Sequence, residues 1–357
     1  MNNNTTVQKI LQEAIREKEI KELSAKYGYE EVGRKLTAYG LLQYFMGSSL
    51  LKIRSYRELA ETSETLGLIK VDYSELSKKA KQVPYEIYLE LCHEIFSRFN
   101  REKRRKLTKE YNKVIAAIDS TRIISKNGKF DWAMYKDGQS GIKLHVSYMP
   151  ETKMPLKIVP TEINVQDVER IEEFYDRNIC LIADRGYINV RKMCEMDYVG
   201  QEFVIRIRND MNILNKIPFD LPHDSGKYED CLCTVSNDRA IKAKYRQHQF
   251  RTVSFIGCNG EKVVLCTNIV DLTADEIAEL YRFRWSIETF FKLMKQFLSL
   301  SKIFGSSKNA AFSQAIIAFI VYILLFTLFF FNSHFQSFVS FLRAFIYNSH
   351  LVILNKL

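Results

Sequence analysis

A chain of 357 residues with 46% hydrophobic, 26% charged and 13% aromatic residues has ordinary globular composition, which excludes disordered, collagen-like and low-complexity classes. Lys and Arg number 52 against 42 Asp and Glu, a net +10 that favours a polyanionic partner, nucleic acid first and an anionic membrane second. The seven cysteines lack chelating or redox spacing, and the polar start Met1-Asn2-Asn3-Asn4 lacks a secretion-signal layout, so free thiols in a cytoplasmic chain are expected.

From Val7 to Asn112 the pattern is helical. Val7, Ile10, Leu11, Ala14, Ile15 and Ile20 recur at helix spacing, Leu41–Met46 begins an apolar helix, and Pro84 opens another through Ile95. Between them, Ser55–Leu59, Leu66-Gly67-Leu68 and Tyr73–Ala80 alternate short helices with turns. That pattern suits a helix-turn-helix reader of DNA, and equally a packing module with a basic face. Arg98 to Lys113 then carries eight cations against Glu102 and Glu110, either a solvated linker or a phosphate-contacting connector.

At Val114 the period changes. Val114–Ile118 is a short apolar run ending in Asp119, Asn127-Gly128 signals a hairpin, and Lys143–Met149 and Leu156–Ile163 read as strands. A helix-like stretch, Val165–Tyr175, precedes a second buried run, Ile179–Ala183, which ends in Asp184; Phe203–Ile207 is a further strand. Residues 209–268 are β-rich, with Asn259-Gly260 as a turn. Thr273 and Glu276 form a capping box for one long helix reaching Leu298. The run Ala315–Phe331 has no charge, at the lower edge of a membrane span; a helix buried behind a sheet also reads apolar all round, and that reading is taken.

Strand, strand, strand, helix, strand, with acids after the first and fourth strands and a helix-borne acid downstream, is the order of an α/β, ribonuclease-H-like catalytic core. A β-rich insertion precedes the last catalytic element, and an all-α N-terminal domain precedes the core. The expected division is a helical DNA-binding domain with basic linker (1–113), the first part of the core (114–208), the insertion (209–270), the rest of the core (271–331) and a tail (332–357).

On the long helix, Arg284, Glu288 and Lys295 fall within about 40° of one another, with Tyr281, Trp285 and Lys292 on the same side. Phe283, Ile287, Phe290, Met294 and Phe297 occupy the opposite, core-facing side. A solvated face with an ordinary Glu288–Lys292 pair has no use for Tyr281 and Trp285. Asp119, Asp184 and Glu288 supply three acids on separate elements, the number that holds two divalent cations for phosphodiester chemistry. His145, beside Lys143 on a predicted strand, reads as a strand-face histidine with no role. Arg185 either orients a phosphate or pairs Asp184.

The spacing Tyr281-(2)-Arg284-(3)-Glu288-(6)-Lys295 resembles the signature of DDE transposases of insertion-sequence family four. Asp119-Ser120-Thr121 and Asp184-Arg185-Gly186-Tyr187 resemble that family's first and second acid motifs. The resemblance implies that Asp119, Asp184 and Glu288 are the catalytic, metal-binding triad, with two Mg²⁺ ions or Mn²⁺ in their place. It implies that Tyr281, Arg284 and Lys295 contact transposon-end phosphates and that Trp285 stacks on an unpaired base. It further implies cut-and-paste transposition by a homodimer on paired inverted-repeat ends of double-stranded DNA, in a bacterial, nucleoid-associated protein without a membrane partner. The rivals are a ribonuclease-H-like nuclease that cuts without joining, a catalytically dead DNA-binding regulator and a protein anchored by Ala315–Phe331. The acid-free C-terminus departs from the family pattern.

Overall fold

The computed structural model describes residues 15–33, 35–104, 113–125, 128–187, 189–208, 211–219, 227–236, 248–257, 259–331 and 335–347. The periodic residues Val7 to Ala14, the middle of the basic segment, Asn127, one of the seven cysteines (Cys258) and the last ten residues lie outside them. The six described cysteines are buried.

Among the described residues, nine strands form one sheet, in the order β3-β2-β1-β4-β5-β9-β8-β7-β6. They are β1 (Val114–Ser125), β2 (Ser140–Met149), β3 (Met154–Glu162), β4 (Ile179–Ala183), β5 (Phe203–Arg206), β6 (Asn212–Pro218), β7 (Glu229–Ser236), β8 (Phe250–Ile256) and β9 (Lys262–Thr267). β1 runs antiparallel to β2 and parallel to β4, and β4 runs parallel to β5. The β-rich segment continues this sheet, because β9 pairs antiparallel with β5. Gly260, at φ 74°, makes the turn between β8 and β9 where Asn259-Gly260 signals it.

Among the described residues, five helices precede the sheet: α1 (Glu17–Lys26), α2 (Ala38–Leu51), α3 (Tyr56–Glu61), α4 (Tyr73–Gln82) and α5 (Tyr85–Arg104). After β4 comes α6 (Val190–Tyr198), and after β9 come α7 (Ala274–Arg282), α8 (Trp285–Phe297), α9 (Lys308–Phe331) and α10 (Phe338–Tyr347). The apolar run is thus a core helix. Residues Ala310 to Phe326 of α9 are all buried, and Phe312 and Ala315 to Phe326 share one cluster with Phe45, Leu91, Phe96 and Phe290. Gln314 Oε1 accepts from the Phe304 backbone N at 2.9 Å, and the Tyr322 hydroxyl donates to the Lys153 carbonyl at 2.7 Å. The tail helix α10 closes over α9 through Phe338, Phe341 and Phe345.

Four expectations need correction. The strand carrying Asp119 continues to Ser125, because Thr121 and Ile123 alternate inward and every residue to Ser125 pairs with β2. The β1–β2 connection spans residues 126–139 rather than a two-residue hairpin; Phe130 and Ala133 pack beneath it on Ala311. Val165–Tyr175 winds as a 3₁₀-helix over Asp167–Phe174. The helix from Thr273 to Leu298 is two helices. Its capping box is present, yet the Phe283 and Arg284 backbone N–H groups bond three residues back, to Leu280 and Tyr281.

Candidate active site

The helix break has a packing cause. Upstream, Ile277, Leu280 and Tyr281 bury with Ile115, Cys180 and Ile182 of β1 and β4. Downstream, Ile287, Phe290 and Met294 join the cluster of Ala117, Leu144, Val146 and Tyr148 on β1 and β2, with Tyr148 stacked on Phe290 at 4.8 Å. One straight helix does not follow both patches, so the junction falls between them. Phe283, placed by helical phase on the core side, is instead 38% exposed at that junction.

Two acids are brought side by side by strand register. Ile118 of β1 is paired with Ala183 of parallel β4, so Asp119 and Asp184 are the next residues along neighbouring strands. Asp119 also lies on the face of Ala117 and therefore toward α8, by the two-residue strand period. Its carboxyl is pushed up to about 7 by burial first, then by the charges of Asp184 and Glu288, against the pull of the Ser120 backbone N–H and Arg284. The Ser120 N–H donates to Asp119 Oδ1 at 2.7 Å. The Gly186 N–H donates to Asp184 Oδ1 at 2.7 Å in the turn that follows β4.

Glu288 reaches the same field from the first turn of α8, and its Oε1 accepts from Arg284 Nη1 at 2.6 Å. Arg284 lies over the Tyr281 ring at 5.8 Å. Its Nε is buried without a hydrogen-bond partner, a donor left spare. Tyr281 is 9% exposed, so it is a wall of the site with the sheet behind it. Lys295 is exposed; its surroundings lower its ammonium pKa while Asp119 pushes it back up. Trp285 stands 57% exposed at the start of α8.

The donors of Asp119, Asp184 and Glu288 are hard carboxylate oxygens, and the crowding of negative charge on Asp119 is what a divalent cation relieves. Among the described residues, no three acids, histidines or cysteines yet converge as a metal cage. Glu288 is spent on Arg284 instead. The donor set therefore fits a divalent ion once that ion pair opens.

Sequence reasoning overlooked a buried polar cluster behind the acids. Lys143 and His145 of β2 are 2% and 0% exposed. Lys143 Nζ donates to Asp167 at 3.2 Å and to the Val165 carbonyl at 2.6 Å, while His145 meets Thr161, Tyr187 and Asp167. The available signal was the polar alternation of Lys143, His145 and Ser147 along a strand whose whole length is buried.

The Transposase DDE domain family matches residues 110–324. A probable transposase for insertion sequence element IS5377 of Geobacillus stearothermophilus is 31% identical over 327 residues, 91% of this chain and 85% of that relative. A putative transposase for insertion sequence element IS4SA of Synechocystis sp. is 26% identical over 263 residues, 71% of each. Among solved structures, a piggyBac transposase synaptic complex with hairpin DNA aligns with a TM-score of 0.44 and 12% identity, over this whole chain and 83% of that one.

Proposed function

The chain belongs to the DDE transposase family, in its insertion-sequence family four branch, and is a DNA transposase; on that premise we propose that Asp119, Asp184 and Glu288 are its catalytic triad and the ligands of two Mg²⁺ ions. The observation that carries the triad is the register of Ile118 with Ala183, which sets Asp119 beside Asp184, with Glu288 acting electrostatically on Asp119 from the helix above. Strands β3-β2-β1-β4-β5, with β1 antiparallel to β2 and parallel to β4, support a ribonuclease-H-like core over 114–208 and 271–331. Residues 209–270 are then its insertion, and residues 1–113 and 332–357 its flanking modules.

Held by the triad, divalent ions would supply Lewis-acid charge for an attacking hydroxyl and for the leaving oxygen of a phosphodiester. The protein's own contribution is orientation and charge. Arg284, turning from Glu288 toward a transposon-end phosphate, offers a guanidinium whose Nε has no other partner. Lys295 adds a cation on the same side, and the Tyr281 ring holds the guanidinium plane in place. Trp285 offers a free aromatic face to an unpaired base at the cut end. The N-terminal helices and the insertion grip the inverted repeats of double-stranded DNA. Hydrolysis of one strand at the element boundary frees a 3′-hydroxyl, which attacks the opposite strand or target DNA. A homodimer on paired ends makes both cuts, in the bacterial cytoplasm where the DNA lies.

The test is cleavage of a labelled duplex carrying the element's own terminal repeat, with Mg²⁺ or Mn²⁺. Wild type cuts at the repeat boundary and transfers the end to target DNA, while Asp119→Ala, Asp184→Ala and Glu288→Ala bind without cutting. Cleavage surviving any of the three removes that residue from the triad. Cutting without strand transfer makes the protein a nuclease.

A further inference from the structure

The cluster beneath the acids costs stability unless it serves a purpose. A fully buried ammonium is tolerated only when paired, and a well-packed apolar substitute for a buried ion pair is often no less stable. Yet β2 buries Lys143 and His145 together, and beside their contacts to the Val165 carbonyl and Thr161 they meet Asp167 and Tyr187, which border the Asp184 turn. Lys143 Nζ and His145 Nδ1 lie 3.2 and 3.4 Å from Asp167 Oδ1. His145 Nδ1 is also 3.4 Å from the hydroxyl of Tyr187, which is 1% exposed, and its Nε2 is 3.1 Å from Thr161 Oγ1.

Tyr187 is the last residue of the turn that begins at Asp184. Its backbone N–H donates to the Asp184 carbonyl at 3.2 Å, and the side chain of Ser120, the neighbour of Asp119, lies near its hydroxyl. Ser120 is itself the register partner of His145. Between the two, Gly186 fills a slot with no room to spare. A Cβ there would sit 3.0 Å from Asp184 Oδ1 and 3.5 Å from Asp167 Oδ2. Asp167 and Asp184 thus flank one glycine, the first anchored to β2 and the second presented to the site.

We propose that Tyr187, held by His145, which Asp167 anchors in turn, is a positioning residue that fixes the Asp184 turn beside Asp119 and so sets the affinity of the pair for divalent cations. The proposal rests on the reading of Asp184 as a metal ligand. Outer partners of this sort orient ligands that they never replace, and their loss weakens metal binding about ten- to a hundredfold.

The experiment titrates Mn²⁺ alone against the full chain by electron paramagnetic resonance, for wild type, Tyr187→Phe, Asp167→Asn and Asp184→Ala. Tyr187→Phe keeps the buried ring and loses only the hydroxyl. It is expected to weaken Mn²⁺ binding about tenfold at an unchanged melting temperature. It should also raise the Mg²⁺ concentration for half-maximal cleavage by a similar factor, with the rate at saturating Mg²⁺ and terminal-repeat affinity kept. Asp167→Asn should act in the same direction, and it carries the measurement if Tyr187→Phe does not fold. Wild-type Mn²⁺ affinity in both variants, with binding lost in Asp184→Ala, overturns the positioning role alone. Mn²⁺ binding undiminished in Asp184→Ala overturns the ligand reading on which it stands.

Discussion

Arg284 and Glu288 neutralise each other across the α7–α8 junction, Nη1 to Oε1 at 2.6 Å, so the cation proposed to meet DNA and the acid proposed to hold metal are held by one ion pair. Glu288 is 53% exposed, so solvent screens the pair and it contributes less than about 1 kcal/mol to stability. Arg284→Ala also loses the packing of a side chain only 12% exposed, so it is expected to melt somewhat below wild type while binding terminal-repeat duplex more weakly. A cation that neutralises one phosphate contributes about one unit to the slope of log affinity against log salt. Anisotropy titrations across a KCl series should show that slope reduced by about one in Arg284→Ala and kept in Glu288→Ala. An unchanged slope would remove Arg284 from the phosphate contacts.

Trp285 gives a second prediction, because an aromatic left 57% exposed loses little when truncated in the free protein. Trp285→Ala should keep the melting temperature and the affinity for intact duplex. Binding to a terminal-repeat duplex with unpaired bases at the cut should fall by about 1–3 kcal/mol, the worth of one stacked base. Equal losses on paired and unpaired substrates would contradict stacking.

What the sequence made legible was whatever short-range pattern encodes. The apolar runs before Asp119 and Asp184 are strands, the capping box at Thr273 and Glu276 starts a helix, and the spacing from Arg284 to Glu288 sets a cation beside the acid. Asp119 was misplaced at a strand end because an acid in a strand looks like a terminus; only pairing with β2 shows that β1 continues through it. The break at Phe283 was invisible, since every residue there suits a helix and the cause is two separate patches of sheet. The cluster of Lys143, His145, Asp167 and Tyr187 draws on β2, a 3₁₀ turn and the turn after β4, and no periodicity links such distant residues.

A third prediction concerns pH. His93 on α5 accepts the Ile158 backbone N–H at 3.0 Å, tying the helical region to β3. Burial, and then Lys157, pull its pKa down to about 4, with Glu90 pulling the other way. The ordinary value is 6.5, so between pH 6.5 and 4 the unfolded chain takes up a proton that the folded chain refuses. Stability from this group is full above pH 6.5 and declines as pH falls, by about 3 kcal/mol at pH 4. His93→Gln offers a non-titrating acceptor. Urea unfolding at pH 7, 5.5 and 4.5 should show a smaller loss toward acid in the variant than in wild type. Parallel losses would mean that His93 titrates normally.

The last prediction follows from α9, a helix long and apolar enough to cross a membrane, yet packed inside this fold. Phe319 is fully buried, its ring 5.7 Å from that of Phe290, on the helix that carries Glu288. Truncating such a ring removes its transfer free energy and leaves a cavity, so Phe319→Ala should cost about 3–5 kcal/mol. The urea midpoint measured on protein purified without detergent should fall accordingly. Because Phe290 loses support, cleavage in Phe319→Ala should also fail at a lower temperature than in wild type, while Trp285→Ala, outside that core, should not shift it. A helix seated in lipid would behave otherwise: the chain would need detergent for extraction, and the unfolding midpoint of its water-exposed part would ignore Phe319.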